Sequence, residues 1–236
     1  YAEKIKNVAD AVIKEKLNGN KVIVVVSAMG HTTDNLIKLS KEITTTPPER
    51  EMDILLSTGE QVSMSLLAMA INEKGHKAVS LNAMQVGIMT EPNHCRARIT
   101  EIKQQRVRKH LDNDEIVIIA GFQGITPDGE ITTLGRGGSD TSAVALAAAF
   151  NADRCDIYSD VEGVYTTDPR VVPTAQKLDV ISYEEMLELA RVGANVLHPR
   201  SVETAKLCAV PMRVRSSFKL DDLATLIIGV DKMELH

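Results

Sequence analysis

The chain has 236 residues, of which 44% are hydrophobic and 25% are charged, so it is long enough for one large α/β domain with a buried core. A net charge of −5, without a basic block interleaved with aromatic residues, argues against nucleic-acid binding. Aromatic residues make up only 3% and Trp is absent, so aliphatic side chains and Met must form the core.

Helical and extended patterns alternate along the first half of the chain. The predicted helices cover residues 2–17, 34–42 and 50–74, with a polar helix within 99–111, and the predicted strands cover residues 22–26, 77–81 and 116–120. The Asp128-Gly129 pair marks a hairpin turn, because this dipeptide supplies the positive φ that such turns need.

The same alternation continues in the second half. Helices are predicted over residues 139–150, 183–192 and 199–207, and strands over residues 154–159 and 211–215. Regular alternation of strands and helices predicts an α/β fold, in which helices cover both faces of a largely parallel sheet.

Cysteine usage and hydropathy indicate the cellular compartment. Cys95, Cys155 and Cys208 are far apart and show neither zinc-ligand spacing nor a disulfide pattern, which fits a reducing cytoplasm. We find no signal peptide and no uninterrupted apolar run of membrane-spanning length. We therefore expect a cytoplasmic protein that does not bind a membrane.

A glycine-rich segment, Gly135-Arg136-Gly137-Gly138-Ser139-Asp140, directly precedes an Ala-rich helical pattern. Backbone N–H groups at a helix N-terminus bind anions, and Ser139 or Asp140 would cap the helix. Arg136 could bind a carboxylate through two parallel hydrogen bonds. The glycine spacing fits neither a Walker loop nor a dinucleotide fingerprint, so these residues alone indicate only an anion site.

In its residues 132–141 the chain resembles the signature of the aspartate kinases. Further segments resemble that family in its own order and spacing: residues 27–34, 57–60, 120–124, 160–170 and 214–218. The resemblance covers nearly the whole chain. It implies the amino acid kinase fold, a three-layer α/β/α sandwich with a mostly parallel central sheet. It also implies transfer of the ATP γ-phosphoryl group to the side-chain carboxylate of L-aspartate, the first step toward lysine, threonine and methionine.

The resemblance also implies roles for individual residues around the amino acid. Arg136 would bind a substrate carboxylate, Glu60 would bind the substrate ammonium, and Asp140 would orient cationic groups without taking a proton. These three residues are the expected catalytic set. The remaining expected substrate-binding residues are Thr32, Thr33, Gly137, Gly138 and Ser139. No general base is expected, because the carboxylate that attacks is already ionised at neutral pH.

Around the nucleotide, the resemblance implies a second set of residues. The expected ATP-binding residues are Ser27, Gly30, Ser159, Asp160, Tyr165, Asp168 and Arg170. Mg²⁺ is expected as the ATP cofactor, and no residue is assigned as its ligand. Asn195 stands where many members of the family have a Lys near the nucleotide, which puts ATP contact from this position in doubt. His198 is predicted to have a structural role.

Both ends of the sequence look trimmed. Members of the family begin with a Lys-Phe/Tyr-Gly-Gly segment whose Lys contacts the phosphates, and this sequence starts after it. We expect residues 1–230 to form the catalytic domain, residues 231–236 to be a linker or tail, and regulatory ACT domains to lie beyond this sequence. Homo-oligomers are expected because they are common in the family.

Two alternatives remain open from the sequence. Another member of the amino acid kinase superfamily, such as a glutamate, uridylate or acetylglutamate kinase, would share the sheet and the phosphate loops. A non-catalytic module that binds ATP and aspartate without turnover is the alternative from a different class.

Overall fold

The computed structural model describes residues 1–159, 163–168, 170–192, 196–216 and 224–233. The chain divides into two compact units, Tyr1–Ser142 and Ala143–His236. The helices that begin in the first unit are α1 (Ala2–Leu17), α2 (Thr32–Ile43), α3 (Glu49–Glu73), α4 (Ala83–Val86), α5 (Gln105–Asp112) and α6 (Gly138–Ala149). Its strands are β1 (Ile23–Val26), β2 (Ala78–Leu81), β3 (Ile88–Thr90), β4 (Ile99–Ile102), β5 (Ile116–Ala120), β6 (Gln123–Ile125) and β7 (Ile131–Thr133).

A parallel sheet of order β1-β5-β2 lies at the centre of the first unit. Every residue of β5 is buried, as the β-branched residues at positions 116–119 predict for a central strand. Helices α1 and α3 pack on this sheet with apolar residues at helical spacing. The core they form with it includes Ala9, Val12, Ile13, Met64, Leu67, Ile71, Ile116, Ile118 and Ala120.

Helix α3 is 25 residues long and carries the polar residues of most interest. By length and composition it could cross a membrane, but one such helix is weak evidence for a membrane span, and half of its most apolar stretch is buried within the fold. Its buried residues include the ionisable side chains of Asp53 and Glu60. Burial of these carboxylates must be offset by specific partners or by a function.

A second sheet of the first unit has the order β4-β3-β6-β7. Strands β6 and β7 form the predicted hairpin, in which Gly129 adopts a φ of +86°. Strand β7 ends at Thr133, two residues before Gly135, the first residue of the glycine-rich segment. The hairpin therefore leads into the glycine-rich segment, which continues into α6.

The second unit contains a four-stranded sheet of order β8-β10-β11-β9. Its strands are β8 (Cys155–Ser159), β9 (Val180–Ser182), β10 (Met212–Ser216) and β11 (Thr225–Ile228), and its helices are α7 (Tyr183–Arg191), α8 (Pro199–Cys208) and α9 (Val230–Met233). Strand β10 pairs in parallel with β8 and antiparallel with β11. Burial alternates along β10, as its sequence pattern predicts.

The α/β class and the dominance of parallel pairing are confirmed. The predicted long helices and strands are observed within one or two residues of the expected bounds, which is the usual precision at element ends. Helix α6 begins at Gly138, so Ser139 and Asp140 lie in its first turn and not at its cap. The short elements α4, β3, β4, β9, β11 and α9 were not predicted from the sequence.

Candidate functional site

A cleft of about 360 Å³ lies within the first unit, next to the C-terminal ends of β1 and β5. Ligands of open α/β sheets usually bind beyond these strand ends. The residues that line it come from three loops and from α2, α3 and α6. They are Ser27, Ala28, Thr33, Glu60, Phe122, Gly135, Gly137, Gly138, Ser139 and Asp140.

The glycine-rich segment forms one wall of the cleft. Gly135 and Gly137 have φ angles of +80° and +70°, which residues with a side chain rarely adopt. The turn is closed by hydrogen bonds from Gly138 N to Gly135 O at 3.2 Å and from Thr141 N to Gly137 O at 2.9 Å. The first turn of α6 thus contributes to the cleft, and the positive end of the helix dipole favours an anion there.

Glu60 gives the cleft a feature of the opposite electrostatic sign, a buried carboxyl group. Its side chain is only 3% exposed, and burial raises its pKa from 4.5 to about 7. Hydrogen bonds from the backbone of Glu60 and Ala28 act in the other direction but are outweighed by desolvation. Among the described residues, Oε2 of Glu60 has no hydrogen-bond partner. A buried carboxylate oxygen of this kind is suited to a cationic ligand.

Close packing brings α3 to the loop that follows β1. A Cβ atom on Gly59 would lie 2.9 Å from Cβ of Ala28, closer than side chains tolerate. Glycine at this position therefore permits the approach that places Glu60 beside Ala28. This close contact explains why the motif Ser57-Thr58-Gly59-Glu60 contains a glycine.

Of the four predicted site residues in the loop after β1 and the first turn of α2, Ser27 and Thr33 line the cleft. Gly30 and Thr32 are not among the lining residues. Gly30 makes the turn into α2 with a φ of +52°, and the Thr32 hydroxyl donates to Met29 O at 2.6 Å. Both residues shape the loop.

Arg136 is exposed and lies between two lining glycines without lining the cleft itself. Among the predicted substrate residues, Thr33, Glu60, Gly137, Gly138 and Ser139 are brought together, as is Asp140 of the catalytic set.

Phe122 is a lining residue that received no role from the sequence. Its φ of +73° is unusual for a bulky side chain, and such strained residues cluster at functional sites. Two hydrogen bonds hold this conformation, from Phe122 N to Ser142 Oγ at 3.0 Å and from Leu134 N to Phe122 O at 2.9 Å. A Cβ atom on Gly138 would lie 2.6 Å from the Phe122 ring, so the ring packs directly on the start of α6.

Of the predicted nucleotide residues, Ser27 and Gly30 lie in the first unit and the other five in the second. Ser159 ends β8, and Tyr165 forms an isolated bridge with Lys177. Arg170 donates to Asp168 through its backbone N–H at 2.9 Å and through its guanidinium at 3.1 Å, which holds the pKa of the Asp168 carboxyl below its usual value. Asp160 lies outside the described residues.

Two further predictions concern the loop before α8. His198 caps α8, because its Nδ1 accepts from Arg200 N at 3.2 Å, and this confirms its structural role. Asn195 lies outside the described residues.

Comparison with known proteins identifies the family of the chain. A sequence profile of the amino acid kinase family matches residues 2–216. The aspartokinase of Geobacillus stearothermophilus is 60% identical over 234 residues, which represent 99% of this chain and 57% of that relative. An aspartate kinase crystal structure from Synechocystis has 49% identity and a TM-score of 0.85, over 97% of this chain and 38% of that one.

A third relative was solved with ligands. Aspartokinase III of E. coli, in complex with aspartate and ADP, is 34% identical with a TM-score of 0.74, over 83% of this chain and 44% of that one. The chain thus spans little more than half the length of the curated relatives it matches. It belongs to the amino acid kinase family, and its sequence is similar to aspartokinases over nearly its whole length.

Proposed function

We propose that the chain is the catalytic part of an aspartate kinase, which converts L-aspartate and ATP to 4-phospho-L-aspartate and ADP. The observation that carries this proposal is the presence of a buried carboxylate and a helix N-terminus in one cleft. The first favours an ammonium group and the second a carboxylate, and an amino acid carries both. Similarity to aspartokinases supports aspartate as that amino acid.

The proposed reaction depends on positioning the two substrates and not on proton transfer by the protein. A side-chain carboxylate with an ordinary pKa of about 3.9 is ionised at pH 7, so it can attack the γ-phosphorus without a general base. A new bond forms between the carboxylate oxygen and phosphorus, while the bond to the bridging oxygen breaks and ADP leaves with that electron pair. Catalysis then consists of aligning two anions and offsetting their repulsion.

The proposed substrate contacts follow from the cleft. The Glu60 carboxylate would bind the substrate ammonium, and Arg136 would turn inward to bind a substrate carboxylate through its planar guanidinium. Ser139 and the amides of Gly137 and Gly138 would donate to the same anionic side of the substrate. The other proposed contacts of the first unit are Thr32 and Thr33 for substrate, Ser27 and Gly30 for phosphate, and Asp140 for cationic groups.

The second unit would supply nucleotide contacts. We propose Ser159, Asp160, Tyr165, Asp168 and Arg170 for this role, and the guanidinium of Arg170 is already hydrogen-bonded to the Asp168 carboxylate. Mg²⁺ is proposed to arrive with ATP, because it usually retains phosphate and water ligands and needs only one or two carboxylates. Within the described part of the chain, no group of three or more His, Cys, Asp or Glu could hold a metal ion, and we assign no protein ligand to the Mg²⁺.

The wider setting of the enzyme is also a proposal, and it rests on the resemblance to aspartate kinases. Residues 1–230 would form the catalytic domain of a cytoplasmic homo-oligomeric enzyme that carries regulatory ACT domains. The product would enter lysine, threonine and methionine biosynthesis.

A coupled assay of ADP release by the full-length protein tests the proposal. L-aspartate should be the preferred acceptor over L-glutamate, N-acetylglutamate and UMP. Succinate should be a poor acceptor, because it lacks the ammonium and leaves Glu60 without a partner. Turnover with UMP alone would overturn the proposal, and calorimetric binding of aspartate and ATP without ADP formation would indicate a non-catalytic module.

A further inference from the structure

Asp53 is the most completely buried carboxylate described in the first unit, with 0% exposure. It does not line the cleft, and it belongs to none of the sequence motifs that resemble the family. It lies on α3 seven residues before Glu60, which is almost two full helical turns, so both carboxylates face the same side of the helix. Helix α3 packs against β7.

The Asp53 carboxylate accepts hydrogen bonds from two segments that are distant from it in sequence. Thr133 donates its backbone N–H to Oδ2 at 3.1 Å and its hydroxyl to Oδ1 at 2.7 Å. Cys95 donates its backbone N–H at 3.1 Å, and His94 Nδ1 lies 2.7 Å from Oδ2. These contacts satisfy a buried charge that would otherwise be very costly.

Both segments lead directly to the glycine-rich wall of the cleft. Thr133 is the last residue of β7, and Gly135 follows two residues later. A Cβ atom on Gly135 would lie 3.1 Å from the Cys95 carbonyl oxygen, so the residue that donates to Asp53 also packs against that wall. Cys95 itself has a φ of +67°, a strained conformation that its hydrogen bond to Asp53 helps to maintain.

We infer that Asp53 is a positioning residue for the substrate site. It fixes the start of the glycine-rich segment to α3, the helix that carries Glu60, and so sets the spacing between the ammonium and carboxylate subsites. This inference rests on the proposed aspartate kinase activity. It assigns Asp53 no contact with substrate, and the Asp53–His94 pair no proton transfer, since neither residue lines the cleft.

The test compares three variants of the full-length protein. Asp53→Asn keeps the shape but replaces an acceptor oxygen by an NH₂ group that faces N–H donors. Thr133→Val removes only the hydroxyl that donates to Asp53. It provides the test if Asp53→Asn does not fold. Glu51→Gln is the matched control, because Glu51 is exposed on the same helix.

Steady-state kinetics separate positioning from general destabilisation. We expect Asp53→Asn to raise the KM for aspartate by about 10- to 100-fold, the cost of misplacing a binding group by roughly 1 Å, and to change the KM for ATP by less than about twofold. Thr133→Val should give a smaller rise in the same direction, and Glu51→Gln should match the wild type. A lower Tm with both KM values unchanged would show a merely structural role and overturn the inference.

Hydrogen exchange measured without substrates keeps this test independent of the proposed function. Peptides covering residues 93–97 and 132–141 should exchange faster in Asp53→Asn, whereas a peptide covering β8 should not change. If the wild type does not phosphorylate aspartate, the proposed function fails, and the exchange result still decides whether Asp53 orders the wall of the cleft. Unchanged exchange in both peptides would overturn the positioning role.

Discussion

Replacing Glu60 by Gln should make the ligand-free protein more stable while weakening substrate binding. Its carboxyl pKa is raised from 4.5 to about 7, and at about 1.36 kcal/mol per pH unit this corresponds to a cost of up to about 3 kcal/mol for the ionised form. Below pH 4.5 the carboxyl is neutral in both folded and unfolded states, and there is no cost. As the pH rises to 7 the unfolded chain loses this proton first, so stability falls over that interval.

The glutamine variant keeps the shape but never carries the charge. At pH 8 it should therefore unfold at a Tm about 6–12 °C above the wild type if the whole cost is removed. At pH 4.5 the two proteins should unfold at nearly the same temperature. An exposed control on the same helix, Glu73→Gln, should change the free energy of unfolding by no more than about 0.5 kcal/mol at either pH.

Binding should change in the opposite direction. Truncating one partner of a buried charge pair costs about 2 kcal/mol or more, so the KM for aspartate should rise at least about 30-fold at pH 8. In the wild type this KM should fall as the pH rises toward 7 and level off above it, because the ammonium binds the ionised carboxylate. In Glu60→Gln that pH dependence should disappear.

Two assays decide the matter: thermal unfolding between pH 4.5 and 8 without ligands, and coupled ADP release over the same range. A KM for aspartate within twofold of the wild type at pH 8 would refute the ammonium contact. Equal Tm values at pH 8 would refute the cost of burying the charge.

The remaining predictions concern single contacts in the two units. Arg136→Lys should raise the KM for aspartate about 10-fold, because an ammonium keeps the charge but loses the planar two-bond geometry, and an unchanged KM would exclude a carboxylate contact. Gly59→Ala should lower stability by about 1–3 kcal/mol, since its Cβ would meet Ala28 at 2.9 Å, despite the better helix propensity of Ala; a higher Tm would contradict this packing. Arg170→Ala should raise the KM for ATP about 10-fold while the KM for aspartate stays constant, and the reverse pattern would remove Arg170 from the nucleotide site.

Long elements were predictable because they repeat a pattern many times. Helix α3 presents its apolar residues over 25 positions, and β5 is a five-residue buried run. Strands β3 and β9 have three residues each, too few to establish a period of two. Their existence depends on pairing with distant partners, such as Ile227 with Ile181, and pairing of this kind is a tertiary property.

In the candidate site, too, residues that are close together in sequence were predictable, and residues brought together by the fold were not. The glycine-rich segment and Glu60 were visible because their residues are contiguous in short motifs. Asp53 was not, because its partners Cys95 and Thr133 lie 42 and 80 residues away along the chain. Phe122 was also missed, since no local pattern signals a positive φ at an aromatic residue.

The cleft contains a buried carboxyl group, that of Glu60, and the positive end of α6, and it is suited to a ligand that carries both charges. Glu60 loses hydration, and its pKa rises until the carboxyl is about half protonated near pH 7. A phosphate at the start of α6 would further disfavour the ionised carboxylate, because it adds a second negative charge to a site that already disfavours one. An ammonium returns the carboxylate to its ionised form, and the free energy lost by the ligand-free fold is recovered as affinity. Beside Glu60 and the start of α6, the cleft therefore favours a zwitterion over a phosphate, which agrees with the proposed amino acid site.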